Sequence, residues 1–423
     1  MFNYLIPITL VSLFLPYKDK IGPVQVRPFD ALVVLLMIVS IPYLGRVLKS
    51  KVAAGFLLLL PFFILHVLSA FGYSGSNGMR EFLQVLLVLS YAFLLSLHAG
   101  TLDYRLAGKV LLVGLCAVML YNIGWHIEQG IWSGWKRLND PKAVFTFLPM
   151  LLGVLLVFAP KEKLNIYWTL WGLAGVVILF SGERKALVAY GLLTAALLSR
   201  GRLLRSLPVL AAGTVALFIF AGVTDDNYLS RQIRTVLTPS ASQLSLGAIV
   251  AGEMPVSLSN AARRLQMQES MNMFTEDPLF GAGTNANIEI MRSKYSVLPS
   301  FMTSGIHSEF LRVLAENGLV GLLLYCLILV AGTYNLARVL QYLWRLGLID
   351  SAQARVLMVV LLLPPFMYIS LEASGTRAIM ALIAISLMPL FVLRGVTARR
   401  ARVAPERAAA DDRGLSTFSD LAR

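Results

Sequence analysis

The sequence predicts an all-α polytopic integral membrane protein, with about twelve transmembrane helices and one large loop between helices 9 and 10. Three observations lead there. Hydrophobic residues make up 57% of the 423 and charged residues only 14%, a balance that excludes a soluble globular domain. The mean hydropathy is +0.72. Apolar runs near bilayer-spanning length recur along the chain and are interrupted once, by roughly eighty mostly polar residues.

In chain order the runs lie near 3–16, 29–45, 53–72, 82–99, 107–125, 143–159, 164–181, 186–199, 206–223, 307–331, 355–373 and 377–394. The first lacks a basic start and a small-residue cleavage site, so it is expected to be retained rather than removed as a signal peptide. Residues 1–223 then hold helices 1–9, 224–306 the loop, 307–395 helices 10–12, and 396–423 a disordered tail rich in Arg, Ala, Asp and Glu. Cys116 and Cys326 both lie in apolar runs and read as packing residues, with no disulfide framework, metal spacing or redox motif.

Basic residues of the short loops and tail, including Arg46, Lys49, Arg200, Arg205, Arg338, Arg345, Arg399 and Arg400, put both termini in the cytoplasm. With an even number of spans, the loop 224–306 lies outside, which in a Gram-negative bacterium is the periplasm. On that side Arg80, Lys136, Arg137, Lys142, Arg184, Lys185, Arg263, Arg264 and Arg377 depart from the positive-inside rule. Each alone can snorkel at a helix end. Several around one cavity suit an anionic, lipid-linked ligand in the phospholipid bilayer, so the net charge of +14 does not imply a nucleic-acid partner.

The segment Ser181-Gly182-Glu183-Arg184-Lys185 joins two apolar runs with almost no loop, which forces Arg184 to the membrane surface. It either faces an outer cavity or pairs with Glu183, and an arginine fork suits diphosphate oxygens. Within the loop, 258–274 reads as an amphipathic helix with a Ser259 or Asn260 cap and a packing stripe of Met267, Met271 and Phe274. Arg263 and Arg264 are expected in its first turn, pointing partly away from the stripe, and Asp277-Pro278 ends it. Gly281 and Gly283 of the following DPLFGAGTN belong to a tight turn. Asp225-Asp226 reads as solvated loop rather than a metal site, because adjacent side chains diverge and no further ligand accompanies them. His66, His98 and His126 lie within or at the ends of apolar runs and read as hydrogen-bonded packing residues.

The chain is organised around 303–321, TSGIHSEFLRVLAENGLVG, where polar sequence becomes a membrane helix at His307. Chemistry between a lipid-borne and a water-borne group belongs at such a level. Ser304 or Ser308 is expected to cap the first turn, with Glu309 at the positive end of the helix dipole. Leu311, Leu314, Leu319 and Leu322 give the apolar face, and Glu309, Arg312 and Glu316 stay polar.

His307-Ser308, nine residues, then Gly318-Leu319-Val320-Gly321 resembles the signature of the bacterial O-antigen ligases. The Arg-bearing helix and DPLFGAGTN resemble the outer loop shared by O-antigen ligases, O-antigen polymerases and related oligosaccharide transferases. The resemblance implies a membrane-integral glycosyltransferase that needs neither metal nor cofactor. It would move an O-antigen glycan from undecaprenyl diphosphate onto a sugar hydroxyl of the lipid A-core oligosaccharide. By the family's motif His307 is the essential residue, and Arg184 with Arg263 or Arg264 binds the diphosphate. The family's turn usually reads Ser-Arg and then a small residue, whereas here Glu183 precedes and Lys185 follows Arg184. Met267 stands where the family has Trp four residues after a single Arg, which favours Arg263, while the doubling leaves Arg263 and Arg264 both open.

The chemistry agrees with this. A diphosphate leaves without an acid if cations absorb the developing charge. The acceptor hydroxyl needs a base near neutral pH, which suits a neutral His307 kept so by nearby arginines. Attack opposite the diphosphate inverts the anomeric centre, and the paired carboxylates of glycosidases are not required. Lys185, Lys136, Arg137 and Ser308 are secondary candidates, for holding phosphorylated core or acceptor. The close alternative is an O-antigen polymerase using the same donor. A transporter or flippase is the alternative of another class, disfavoured because the spans carry almost no charge at their centres and show no internal repeat.

Overall fold

A computed structural model describes residues 1–12, 19–21, 24–26, 28–46, 59–98, 101–128, 142–181, 184–201, 258–296, 298, 303 and 306–371. Among them are twelve α-helices: α1 (Phe2–Ser12), α2 (Pro28–Ser40), α3 (Leu60–Tyr73), α4 (Gly75–His98), α5 (Tyr104–Glu128), α6 (Lys142–Val157), α7 (Leu164–Ser181), α8 (Arg184–Leu198), α9 (Leu258–Glu276), α10 (Ala286–Lys294), α11 (Glu309–Arg345) and α12 (Ser351–Leu371). The architecture is all-helical except for a small antiparallel hairpin, β1 (Asp19–Ile21) with β2 (Val24–Val26), which the sequence reading did not anticipate.

Among the described residues, four helices are long and apolar enough to cross a membrane, over Gly78–Leu95, Arg105–Gly124, Glu309–Arg345 and Ser351–Ser370. Shorter apolar helices occupy Phe2–Ser12, Pro28–Tyr43, Leu60–Tyr73, Phe147–Val157 and Ala186–Leu198. The expected spans 206–223 and 377–394 lie outside the described residues, and each of the others falls on one of these helices or on α7. Helices α9 and α10 belong to the polar segment.

The three largest apolar clusters among the described residues hold much of the bundle. Leu115 and Met119 of α5, Leu148 and Leu152 of α6, Trp171 and Ile178 of α7, Leu193 of α8 and Val360 of α12 form the first. Phe62 and Phe63 of α3, Val85 and Val88 of α4, Val313, Tyr325 and Ile328 of α11 and Tyr368 of α12 form the second. Ile6, Phe29, Val33, Leu36 and Leu94 join α1, α2 and α4 in the third. His98 behaves as expected of a packing histidine, with Nε2 2.9 Å from Ser40 Oγ and its ring stacked on Phe2.

The feature that organises the rest is a break in α11 at Gly318, whose φ of 62° and ψ of −163° are not helical. Continuous helix would pair the Leu319 and Val320 N–H groups with the carbonyls of 315 and 316. Instead both N–H groups turn to the segment after α9. Leu319 N donates to Pro278 O at 2.9 Å and Val320 N to Leu279 O at 3.2 Å. The two released carbonyls accept from the same segment, Ala282 N to Ala315 O at 2.9 Å and Gly283 N to Glu316 O at 3.0 Å. A membrane-level break survives where neighbouring protein restores the lost pairing, and here four bonds replace two.

The glycines permit this approach. A Cβ on Gly318 would lie 2.2 Å from Leu279 O, and one on Gly281, at φ +75°, 2.5 Å from the carbonyl carbon of Glu316. Gly318→Ala adds a left-handed penalty of roughly 1–2 kcal/mol to a backbone clash, so we expect a loss of about 3 kcal/mol or more. Thermal unfolding of the detergent-purified protein checks this, with Leu319→Ala, at a residue 43% exposed, as the control expected to stay within about 1 kcal/mol.

Candidate functional site at the start of α11

His307 stands two residues before α11 and is half-buried, as is Ser308. Ile306 beside it is buried in a small core with Leu265 and Met273 of α9, Met291 of α10, Leu298 and Ala315. Ser308 occupies the N-cap position with extended backbone, φ −127° and ψ 123°. Its hydroxyl makes no cap bond, contrary to expectation; its carbonyl closes the turn, accepting from Arg312 N at 2.8 Å. Ser304 lies outside the described residues.

Helix α9 begins at Leu258, so Arg263 and Arg264 sit in its second turn rather than the expected first, and both are exposed. Leu265, next in the chain, shares the core that holds Ile306, which ties this turn of α9 to the residue preceding His307. The expected packing stripe is not the buried one. Met267 and Met271 are 57% and 40% exposed, while Ala262, Leu265, Gln266, Glu269, Ser270 and Met273 are buried. Hydrogen bonding selects that face. Glu269 accepts from Lys294 Nζ at 2.9 Å, Tyr295 OH at 2.6 Å and Asn272 Nδ2 at 2.9 Å, fastening α9 to the end of α10.

Burial alone would raise the Glu269 carboxyl, but the bonds from Lys294 and Tyr295 outweigh it and hold the group below its ordinary 4.5. The Glu269 bond raises Lys294 above 10.5, and burial followed by the same carboxylate raises the Tyr295 phenol. The signs set a window. A depressed carboxylate contributes stability above its unfolded value and loses it as pH falls through the folded one. The raised lysine contributes below its unfolded value and loses that as pH climbs through the folded one. The protection of α9 and α10 amides, taken relative to the intrinsic exchange rate at each pH, should therefore hold from about pH 5 to 9 and fall below about pH 4, and Glu269→Gln should remove the acid step.

Arg184 and Lys185 open α8, but their side chains lie outside the described residues. The α7–α8 pair beneath them is fastened by Trp171 Nε1 donating to Thr194 Oγ1 at 3.0 Å and Tyr190 OH donating to Trp171 O at 2.8 Å, with the two rings stacked at 4.9 Å. Lys136, Arg137, Arg377 and Asp225-Asp226 fall outside the described residues.

Sequence reading missed a buried polar network directly behind His307. Arg312, only 4% exposed, pairs with Glu309 through Nε at 2.8 Å and also through Nη2, and with Glu316 through Nη1 at 3.0 Å. These three were expected to stay polar beside an apolar face of Leu311, Leu314, Leu319 and Leu322. All three are buried, as are Val313, Ala315 and Asn317, while Leu319 is exposed. In a bilayer, charges are cheapest where protein supplies partners. The signal was available: positions 309, 312 and 316 share one helical face.

The network continues through the turn. Asn287 Nδ2 donates to Glu316 Oε1, Asn317 Nδ2 to Thr284 Oγ1 at 3.0 Å, and Asn285 Nδ2 to Glu81 Oε1 at 2.6 Å. His66 Nε2 lies 3.1 Å from Glu81 Oε2, so His66 is a hydrogen-bonded interior residue as expected. Thr284, His66 and Glu81 have the order of a nucleophile, base and acid. They do not work as one, because the Thr284 hydroxyl donates to His66 O at 2.8 Å, its distance to Nδ1 is 3.4 Å, and all three are buried. Among the described residues no group of three or more His, Cys, Asp and Glu has the arrangement of a metal site.

The segment 168–326 matches the family model described as O-antigen ligase. That stretch, less than half of the chain, is similar to an O-antigen ligase domain. It runs from α7 to the middle of α11 and contains Arg184, Arg263, Arg264, His307 and both signature glycines, Gly318 and Gly321. No curated protein matches the chain. O-antigen ligase family proteins are glycosyltransferase-like enzymes whose substrates are, in general, lipid-linked glycans and lipid A-core. In this stretch the signature has a physical reading. Gly318 is the break, and Gly321 leaves room for Asn317, whose Cβ would be 2.3 Å from an added Cβ.

Removing Arg312 would leave Glu309 and Glu316 as buried, uncompensated carboxylates, a loss of about 3–5 kcal/mol. Arg312→Met should therefore lower the melting temperature of the purified protein sharply. The triple variant with Glu309→Gln and Glu316→Gln should recover much of that loss in the same unfolding assay.

Proposed function

We propose that the protein is an O-antigen ligase of the inner membrane, with both termini cytoplasmic and its active site facing the periplasm. It transfers O-antigen from undecaprenyl diphosphate to a hydroxyl of the lipid A-core oligosaccharide. The observation that carries this reading is the position of His307: it opens the buried, broken helix, within the stretch similar to an O-antigen ligase domain, beside the small core that also anchors the arginine-bearing turn of α9.

In this scheme the diphosphate is bound by Arg184 and by Arg263 or Arg264, which absorb charge as the glycan–diphosphate bond breaks. His307 accepts the proton of the attacking core hydroxyl, or orients that hydroxyl, while the new glycosidic bond forms with inversion. The electron pair of the broken bond leaves with undecaprenyl diphosphate, so the exchange balances without metal, cofactor or energy source. Lys185, Lys136, Arg137 and Ser308 are assigned to the acceptor side.

A lipopolysaccharide gel from a deletion strain tests this. The deletion should give core without O-chain and should accumulate lipid-linked polymer. Wild type should restore the ladder and His307→Ala should not. Core bearing one repeat would assign a polymerase instead, and an unchanged ladder would remove glycan transfer to core altogether.

A further inference from the structure

The site described above draws on two parts of the chain: α9, with its arginines, and the start of α11, with His307. They meet in the Ile306 core and at a junction of backbone bonds. The turn 278–284 follows α9 and lies across the α11 break through the four backbone bonds involving Pro278, Leu279, Ala282 and Gly283. At its end is Thr284, fully buried, whose hydroxyl makes two bonds at once. It donates to His66 O of α3 at 2.8 Å and accepts from Asn317 Nδ2 of α11 at 3.0 Å. The Thr284 N–H donates to Ser69 Oγ of α3 at 3.1 Å, and that hydroxyl points to Glu316 O at 3.4 Å. One threonine therefore joins α3, the turn and α11, next to the glycine that breaks α11.

We propose that Thr284, through Asn317 and His66, is a positioning residue for the transfer reaction, setting where His307 stands relative to the arginines of α9. This rests on the ligase reading. The backbone bonds and the close approach of Gly281 and Gly318 set which residues of the turn and α11 meet. The Thr284 hydroxyl, held between the His66 carbonyl and the Asn317 amide, adds a side-chain tie from that junction to α3. Thr284 touches no substrate in this scheme. A catalytic pair held in the right relation gains most of its rate from that geometry, and small displacements cost rate before they cost binding.

Thr284→Val keeps shape and deletes both hydroxyl bonds, whereas Thr284→Ser keeps the bonds and deletes a methyl. The test measures steady-state transfer from purified lipid-linked donor to core acceptor, together with hydrogen exchange over 278–286 and 315–320, in the full-length protein. In Thr284→Val we expect faster exchange in both segments, a fall in kcat of about tenfold or more, and KM for donor and acceptor within about twofold of wild type. Thr284→Ser should return kcat to within about threefold of wild type. Asn317→Ala, which cuts the same bond from the other side, should behave like Thr284→Val, and the double variant should fall no further than the worse single one.

Unchanged kcat despite faster exchange would overturn the proposal, as would a loss of kcat without change in exchange, or a serine variant as slow as the valine one. A pure rise in KM would equally remove the positioning role. Wild-type protein that transfers no glycan to core would sink the ligase reading, and the positioning role with it, even with the junction intact by exchange. The two failures are thus told apart.

Discussion

Two helix hydrogen bonds given up in α11 and four made to the turn 278–284 are the constraint on which this structure depends. A polar backbone group without a partner at membrane depth costs several kcal/mol, so a break in α11 and a turn that fills it require each other. Neither is stable alone. The requirement for glycine at 281 and 318 follows directly, since the two backbones approach closer than any Cβ allows. Because the turn is the C-terminal extension of α9 and its far end meets α3, the break also decides where the polar segment sits on the bundle.

The charges behind the break follow the same logic. Glu309, Arg312 and Glu316 lie on one face of α11 and are turned inward, away from lipid, where they find each other and Asn287. A third carboxylate, Glu81, is met by His66 and Asn285. Buried ion pairs contribute little net stability, but they penalise any arrangement that separates the partners. Their effect here is selective: with α11 rotated or the turn displaced, carboxylates would stand unpaired in the membrane interior.

Much of the fold was legible in the sequence. Runs of apolar residues mark helices because bilayer thickness fixes their length, and Gly281 and Gly283 mark a turn because both take positive φ. The signature around His307 named the family by residue type and spacing. What it did not convey was which face of a helix is inside. At the start of α11 Glu309, Arg312 and Glu316 are buried while Leu319 is exposed, the reverse of the pattern in water. The methionines of α9 misled for a related reason, since the buried face there is chosen by Glu269 and its hydrogen-bond donors rather than by hydrophobicity. Helix α10 was also missed. It is preceded by Asn285 at the capping position, in a left-handed conformation with φ 66° and with its side chain committed elsewhere, to Glu81.

The pairing of His66 with Glu81 has a bearing on synthesis. The two residues are 15 positions apart, on consecutive helices, whereas Asn285 is 204 positions from Glu81. Translation delivers α3 and α4 to the membrane long before the turn or α11 exists. A lone glutamate in that early hairpin would resist insertion, and the histidine on its neighbour supplies a partner at once. The amide donor from Asn285 is added later, when the second half of the chain arrives. The same carboxylate thus serves first as a passenger that its own hairpin can carry into lipid, and afterwards as a landing point for the polar segment.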